Sequence, residues 1–451
     1  QQGDYLHRGE QGMFESVGYR LFNLAGLESP RTSFVSFRVI DEAQEADPQN
    51  QYEGDFWGVY LAVEELDGRF LEEHGMPDGN LYKMENGTGA NGAGGELKNQ
   101  GATAVSDSSD LIGFRLAYDR GTQSEAWWRS NFDLDRYYSY QAILQGIHHY
   151  DVCCGKNYFY FHNSTSGLWQ VHPWDLDLTW DDNMYVGGVT GGTEPFLTRV
   201  LPIPAFQREY QNRVREIRDL LFNTDQAWQL IDEMAGLLQG PADGPTILDA
   251  DRSQWDYNPV MIDRSIVNPG KAGHGRFYQK GTPTSDFAGM AQLMKDYVVY
   301  RAGRILDPSA SDPGIPPTPT IEGPPGQVLA LDRLLVRSPS FSAGASGAGN
   351  AQTLRWRVGE VNDPAFRPGD PNRPGVYEIE TVWQSPALRA AESETTVPAD
   401  ILRIGHHYRI RAQVADSAGR TSHWSDPIEF IAGEPATGSA LIQNLRLTEL
   451  M

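Results

Sequence analysis

The stretch DPSASDPGIPPTPTIEGPPG (307–326) constrains the fold most, because proline this dense fits neither a helix interior nor a central strand. It reads as an extended linker that divides the 451-residue chain in two. Helix and strand patterns are mixed before it, and only short strand patterns follow it. The sequence therefore predicts an α+β domain over 1–306, a linker over 307–326, an all-β sandwich over 327–435 and a tail over 436–451.

In the first part, Met13, Val17, Leu21, Phe22 and Leu24 fall at helical spacing within 10–27, and the pattern stops at Gly26. SFVSFRVI (33–40) and FWGVYLAVEEL (56–66) are predicted strands, rich in β-branched and aromatic residues. A short helix at Asp67–His74 and a strand at LYKM (81–84) follow. An aromatic-rich helix within 127–147, beginning near Asp133, should pack in the core and deliver the chain to Asp151. Further helices are predicted over 204–238 and 290–306. NGTGANGAGG (86–95) reads as a flexible loop, since no Gly-Lys-Ser/Thr closes it.

Tyr150–Trp180 carries the chemistry. It reads YDVCCGKNYFYFHNSTSGLWQVHPWDLDLTW, with Asp151, Lys156 and Asn157 before one aromatic run and Asp175 and Asp177 after another. Alternation in HPWDLDLT predicts a strand with Asp175, Asp177 and Thr179 on one face. Two carboxylates at that spacing repel unless solvent, a donor or a cation lies between them. Carboxylate oxygen suits Mg²⁺ or Mn²⁺, and the alternative is an exposed polar face at a strand end. Phosphoryl transfer needs an Asp to accept the hydroxyl proton, and an Asn and a second Asp to hold metal. Asp151, Asn157 and Asp175 supply that set. Lys83 is the phosphate-binding candidate, with Glu64 or Glu65 to hold it; the alternative is a solvent-facing lysine.

Other readings of the same residues are weaker. DLDLT fits the DxDxT pattern of haloacid dehalogenase-type phosphatases, with Asp175 as nucleophile and Asp177 as acid. That fold expects the motif at the start of an α/β domain rather than in mid-chain. His148, His149 and His172 flank the acids, but no third zinc ligand stands at proper spacing. The adjacent Cys153 and Cys154 read as small buried apolar residues, since a vicinal disulfide is strained; the alternative is a redox-sensitive loop. The net charge of −23 argues against nucleic acid and anionic membranes and favours basic partners. No apolar window is long enough for a membrane-spanning helix.

GVYLAVEELDGRFL (58–71), GNLYKM (79–84), KNYFYF (156–161) and WDLDLTW (174–180) together resemble the CotH family of spore-coat protein kinases, atypical members of the kinase fold. The resemblance runs over about residues 5–305. It implies a two-lobed kinase-like domain that phosphorylates protein Ser or Thr with ATP and Mg²⁺ or Mn²⁺. Asp151 would be the catalytic acid/base, Asn157, Asp175 and Asp177 the metal side, and Lys83, Glu64 and Lys156 the nucleotide side. The order Asp, Asn, Asp is that of protein kinases. HRD, DFG and the common glycine-rich loop are missing, and Asp151 and Asn157 stand six residues apart rather than five. Glu64 has a second reading, as part of a hinge beside adenine. Adenylylation, glutamylation and a non-catalytic adhesion module on the same fold are the alternatives.

The resemblance also implies a bacterial extracellular or cell-surface setting within a larger secreted protein. A basic, Ser-rich protein is the expected substrate. The start at Gln1, without a signal-peptide pattern, and the ending ALIQNLRLTELM lead to the expectation of a fragment. Further N-terminal-lobe sequence with a lysine is expected upstream. The ending resembles the first strand of a lamin-tail-like domain.

Beyond the linker, LRWRVGEV (354–361), YEIETVWQS (377–385), YRIRAQVADS (408–417) and IEFIAG (428–433) are predicted strands. Leu402, Gly405 and Tyr408 match a tyrosine corner. With Trp356 and SHWSDP (422–427) they resemble a fibronectin type III-like sandwich, serving adhesion or acting as a spacer.

Overall fold

The computed structural model describes residues 12–40, 55–85, 95–152, 155–183, 188–189, 191–192, 194, 196–239, 247–248, 251, 287–341, 351–370, 372–389 and 392–436. Cys153 and Cys154, most of the 86–95 loop, residues 184–187 and the tail from 437 lie outside them. Helix and sheet are mixed, an α+β chain. It divides into two compact units: residues 1–207 with 223–305 and 367–374, and residues 208–222 with 306–366 and 375–451.

In the first unit, α1 (Met13–Leu24) buries Met13, Val17, Leu21 and Phe22 and ends before Gly26, whose φ of 77° suits a left-handed helix stop. Strands β1 (Thr32–Arg38) and β2 (Phe56–Val63) pair antiparallel as a two-stranded sheet. Helix α2 (Gly68–Glu73) starts where the Asp67 carboxylate accepts the Arg69 and Phe70 amides. Strands β3 (Gly79–Glu85), β4 (Gly95–Asn99), β5 (Lys156–Asn163) and β6 (Trp169–Pro173) form a four-stranded sheet in the order β4-β3-β5-β6.

Between β4 and β5 lie α3 (Ser109–Asp119), α4 (Glu125–Asn131) and α5 (Leu134–Ile147). The helix expected to begin near Asp133 is α5, and the separate α4 precedes it. Phe132 is extended, with φ −138°, and bridges to Trp169, while Asp133 caps α5. Phe114 stacks on Trp169 with ring centroids 4.8 Å apart, and Phe132 meets Phe196 at 4.4 Å. That aromatic core joins helices to sheet. Helices α7 (Gln226–Gln239) and α8 (Phe287–Arg301) also belong to the unit, and the helices expected over 204–238 are divided after Leu220. A new cap starts at Asn223, whose Oδ1 accepts the Gln226 amide.

The register explains where chemistry can sit. Strand β5 runs antiparallel to β3 and β6, pairing Lys83 with Phe159, Glu85 with Lys156 and Tyr158 with Pro173. The end of β3, the start of β5 and the end of β6 therefore lie at one end of the sheet. The strand expected through Asp175–Thr179 stops at Pro173 instead. Asp175 takes φ 58°, the chain turns, and the Thr179 hydroxyl donates to the Leu176 carbonyl at 2.6 Å. Burial keeps the expected alternation through Leu178, with Leu176 and Leu178 inside and Asp175 and Asp177 outside. Thr179, expected on the face of the two acids, is buried because the chain has turned.

The second unit is a β-structure. One sheet contains β7 (Val328–Ala330), β9 (Ala351–Val361), β10 (Thr381–Gln384), β11 (Leu388–Arg389), β13 (His407–Asp416) and β14 (Ile428–Gly433). A second sheet pairs β8 (Leu335–Arg337) with β12 (Glu394–Thr396). Leu334, Val336 and Val397 from the side of the small sheet share a core with Trp356, Val358, Ile410 and Val414 of the large one. Tyr408 Oη accepts the Arg403 amide at 2.9 Å, the contact the tyrosine-corner spacing predicts. Residues 208–220 of α6 (Pro204–Leu220) belong to this unit, where Asp219 accepts from the Trp424 amide at 2.8 Å and faces His423 Nδ1 at 2.9 Å.

Candidate functional site

Helix α5 ends at His148, which adopts the left-handed conformation, and the chain then turns through Asp151 into β5. Lys156 Nζ donates to Asp151 Oδ2 at 2.8 Å. Asn157 Nδ2 donates to the same oxygen at 2.9 Å and to the Asp151 carbonyl at 3.2 Å. Both contacts fix the carboxylate, whose side chain is only 12% exposed. Asp151 Oδ1 has no hydrogen-bond partner among the described residues.

Asp175 follows β6 at the same end of the sheet. Its amide donates to Tyr19 Oη of α1 at 3.1 Å. Surrounding protein and the nearby Asp151 charge push its carboxyl above the usual carboxylate range, against the pull of Lys156 and Lys83. The side chain still reaches solvent. Asp151, Lys156, Lys83 and Asp175 thus sense one another's charge. Lys83 pairs with Glu85 on its own strand and lies 5.8 Å from the Trp174 ring centre.

Glu64 belongs to a different set of contacts. It follows β2, accepts the Arg31 amide at 2.9 Å and meets His74 Nε2 at 2.9 Å. The ion-pair partner of Lys83 is Glu85.

A residue not expected from the sequence joins the acids. Burial first, and then the charges of Asp177 and Asp175, push Glu15 of α1 up to about 7. Nothing in the local pattern around Glu15 marks it, because its acidic neighbours come from 160 residues further along the chain. Burial holds His149 neutral, pushed down to about 3.

Among the described residues, four of the five non-glycine positions with positive φ are His148, Asn157, Asp175 and Trp180. Such backbone costs energy, and Asn and Asp tolerate it best. Its concentration in one loop pair is a feature of functional sites.

Among the described residues, no three His, Cys, Asp or Glu side chains are close enough to hold a metal by themselves. Mg²⁺ is usually held by one or two carboxylates plus substrate phosphates. Crowded carboxyls with raised proton affinity are the electrostatic condition such a cation relieves.

Known proteins bear on the same residues. A family model described as CotH kinase protein matches residues 10–302. The inner spore coat protein H of Bacillus subtilis (strain 168) is 21% identical over 232 residues, 47% of this chain. The match spans 60% of that relative's length. The third fibronectin III domain of human KIAA0343 protein is similar at 15% identity over 28% of this chain and 91% of that structure, with a TM-score of 0.20, too low to bear on the fold. No described helix is long and apolar enough to cross a membrane. With the match covering residues 10–302 and the acids of both loops inside it, the chain belongs to the CotH family.

Proposed function

We propose that the first unit is a kinase-like phosphotransferase that moves the γ-phosphoryl group of ATP to Ser or Thr of a protein. The observation that carries this reading is the convergence of Asp151, Lys156, Asn157, Asp175 and Lys83 at one end of the four-stranded sheet. Asp151 Oδ1 receives the proton of the attacking hydroxyl, while Lys156 and Asn157 hold Oδ2 still. General-base help of this kind is typically worth about 10²–10⁴-fold in rate. Asp175 and Asn157 would hold Mg²⁺ or Mn²⁺ with the nucleotide, and Asp177 lies close enough to Glu15 to raise its proton affinity. A bound divalent cation supplies charge neutralisation on the phosphate oxygens. Lys83 offers a point charge for phosphate from β3.

Adenylyl or glutamyl transfer would use the same acids, and the label on ATP separates the first of these from phosphorylation. The relative's name places it in a spore coat, and we extend to this chain a bacterial surface or coat association. A basic acceptor fits the net charge of −23.

The test is incubation with Mg²⁺ or Mn²⁺ and ATP labelled at the γ- or α-phosphate, with a basic Ser-rich acceptor. Transfer of γ-label that disappears in Asp175→Ala is the expected result. Transfer of α-label would replace the proposal with adenylyl transfer.

A further inference from the structure

One cavity of the first unit is lined, among the described residues, by three ionisable side chains that are all basic types. Its volume is about 430 Å³, and Arg20, Arg31 and His74 are its ionisable groups. Asn23, Thr32 and Met234 line it too, with Pro30 beside them. That volume lies within the range of small-molecule sites, which combine apolar walls with a few placed polar groups.

The walls are fixed by hydrogen bonds. Asn23 Nδ2 donates to the carbonyls of Tyr19 and Ser29, both at 3.1 Å, and its Oδ1 accepts the Ser29 amide. Those contacts set the turn from α1 into β1. The Arg31 guanidinium donates to the Glu73 carbonyl at 3.0 Å and lies 3.7 Å from the Glu73 carboxylate. Glu64 Oε2 accepts the Arg31 amide and meets His74 Nε2, each at 2.9 Å. Glu73 thus holds the Arg31 guanidinium, and Glu64 holds the Arg31 main chain and the His74 ring. Arginine forks match carboxylate and phosphate oxygens.

We propose that this cavity binds a small organic oxyanion, a carboxylate or phosphate group carried on a compact apolar body. The oxyanion faces Arg20 and Arg31, and the apolar body lies against Pro30 and Met234. The proposal stands apart from the phosphotransferase reading, since Asp151 and Asp175 take no part in it. Helix α1 carries Arg20 and Asn23 at this cavity and Glu15 and Tyr19 at the acid site.

The experiment is calorimetric titration of the 451-residue chain with phenyl phosphate, benzoate and inorganic phosphate, in EDTA at constant ionic strength. Saturable binding of phenyl phosphate or benzoate is expected, and the tighter of the two identifies the headgroup. Binding should weaken at least tenfold in the Arg20→Gln/Arg31→Gln double variant and in Met234→Trp, which fills the cavity without removing charge. It should be unchanged in Asp175→Ala. Absence of saturable binding by both aromatic probes overturns the proposal, as does equal binding in Met234→Trp or loss in Asp175→Ala alone. If the double variant does not fold, Met234→Trp decides.

Discussion

Asn157 donates one side-chain amide to both the carboxylate and the carbonyl of Asp151, at 2.9 and 3.2 Å, from a backbone at φ 68°. The residue that enters β5 is thereby tied to the loop that precedes it. A side chain of the same shape without the amide nitrogen could not hold both groups. Lys156 adds a charged donor to the same Oδ2 at 2.8 Å.

Asp151→Ala should leave nucleotide binding largely intact and cut turnover by about 10²-fold or more, the scale of lost general-base help. Paired measurement of ATP affinity and transfer rate checks this. A parallel loss of both would place Asp151 in binding instead.

Asn157→Gly should relieve the left-handed backbone while deleting the amide. Stability is expected to change little, because removed strain of about 1–3 kcal/mol offsets lost hydrogen bonds of about 1 kcal/mol each. Transfer rate should still fall, because Asp151 loses an orienting contact and the cation a ligand. Thermal melting combined with rate measurement separates the two effects.

Glu194 gives a pH prediction away from the acids. It is buried, accepts from Tyr137 Oη at 2.5 Å and from the Phe196 amide at 2.6 Å, and burial pushes it from 4.5 to about 7. A folded-state value above the unfolded one means its stability contribution is present below about 4.5 and is lost as pH rises through about 7. The full loss is on the order of 3 kcal/mol. Melting of wild type and Glu194→Gln at pH 5 and pH 8 should show the variant gaining on wild type at the higher pH. A difference that stays constant with pH contradicts this.

In the second unit, Glu378 is 1% exposed and pairs with Arg409 at 3.0 Å and with Arg411. Glu378→Ala takes the carboxylate from the largely buried Arg411, while Arg409 keeps Glu429, and should destabilise that unit by about 3 kcal/mol. Tyr408→Phe removes only the acceptor of the Arg403 amide and should cost about 1–2 kcal/mol. Denaturant unfolding that follows Trp356 and Trp424 fluorescence would rank the two. The reverse order would refute the assignment of Glu378 as the more costly loss.

The sequence displays the acids of the two loops because they cluster within 151–177 and flank aromatic strands, a composition local to one segment. Glu15 and Tyr19 were not legible. Tyr19 meets the Asp175 amide across 156 positions, and no local periodicity encodes such a meeting. The sequence points to Glu64 or Glu65, just after the preceding strand, as the partner of Lys83, yet Glu85 stands two residues on and shares its strand face. The stop of β6 at Pro173 was hidden because burial continues to alternate through Leu178 after the backbone has turned. Alternation reports which side chains are inside, and the hydrogen-bond ladder ends independently of it. The tyrosine corner was legible because three residues at fixed offsets produce one backbone contact.

The most direct measurement is calorimetric binding of ATP with Mg²⁺ to wild type and Asp175→Ala, repeated in EDTA. The account predicts metal-dependent binding by wild type that the variant loses, with both proteins melting at similar temperature. Undiminished metal-dependent affinity in Asp175→Ala would contradict the placement of the metal–nucleotide site at the end of β6.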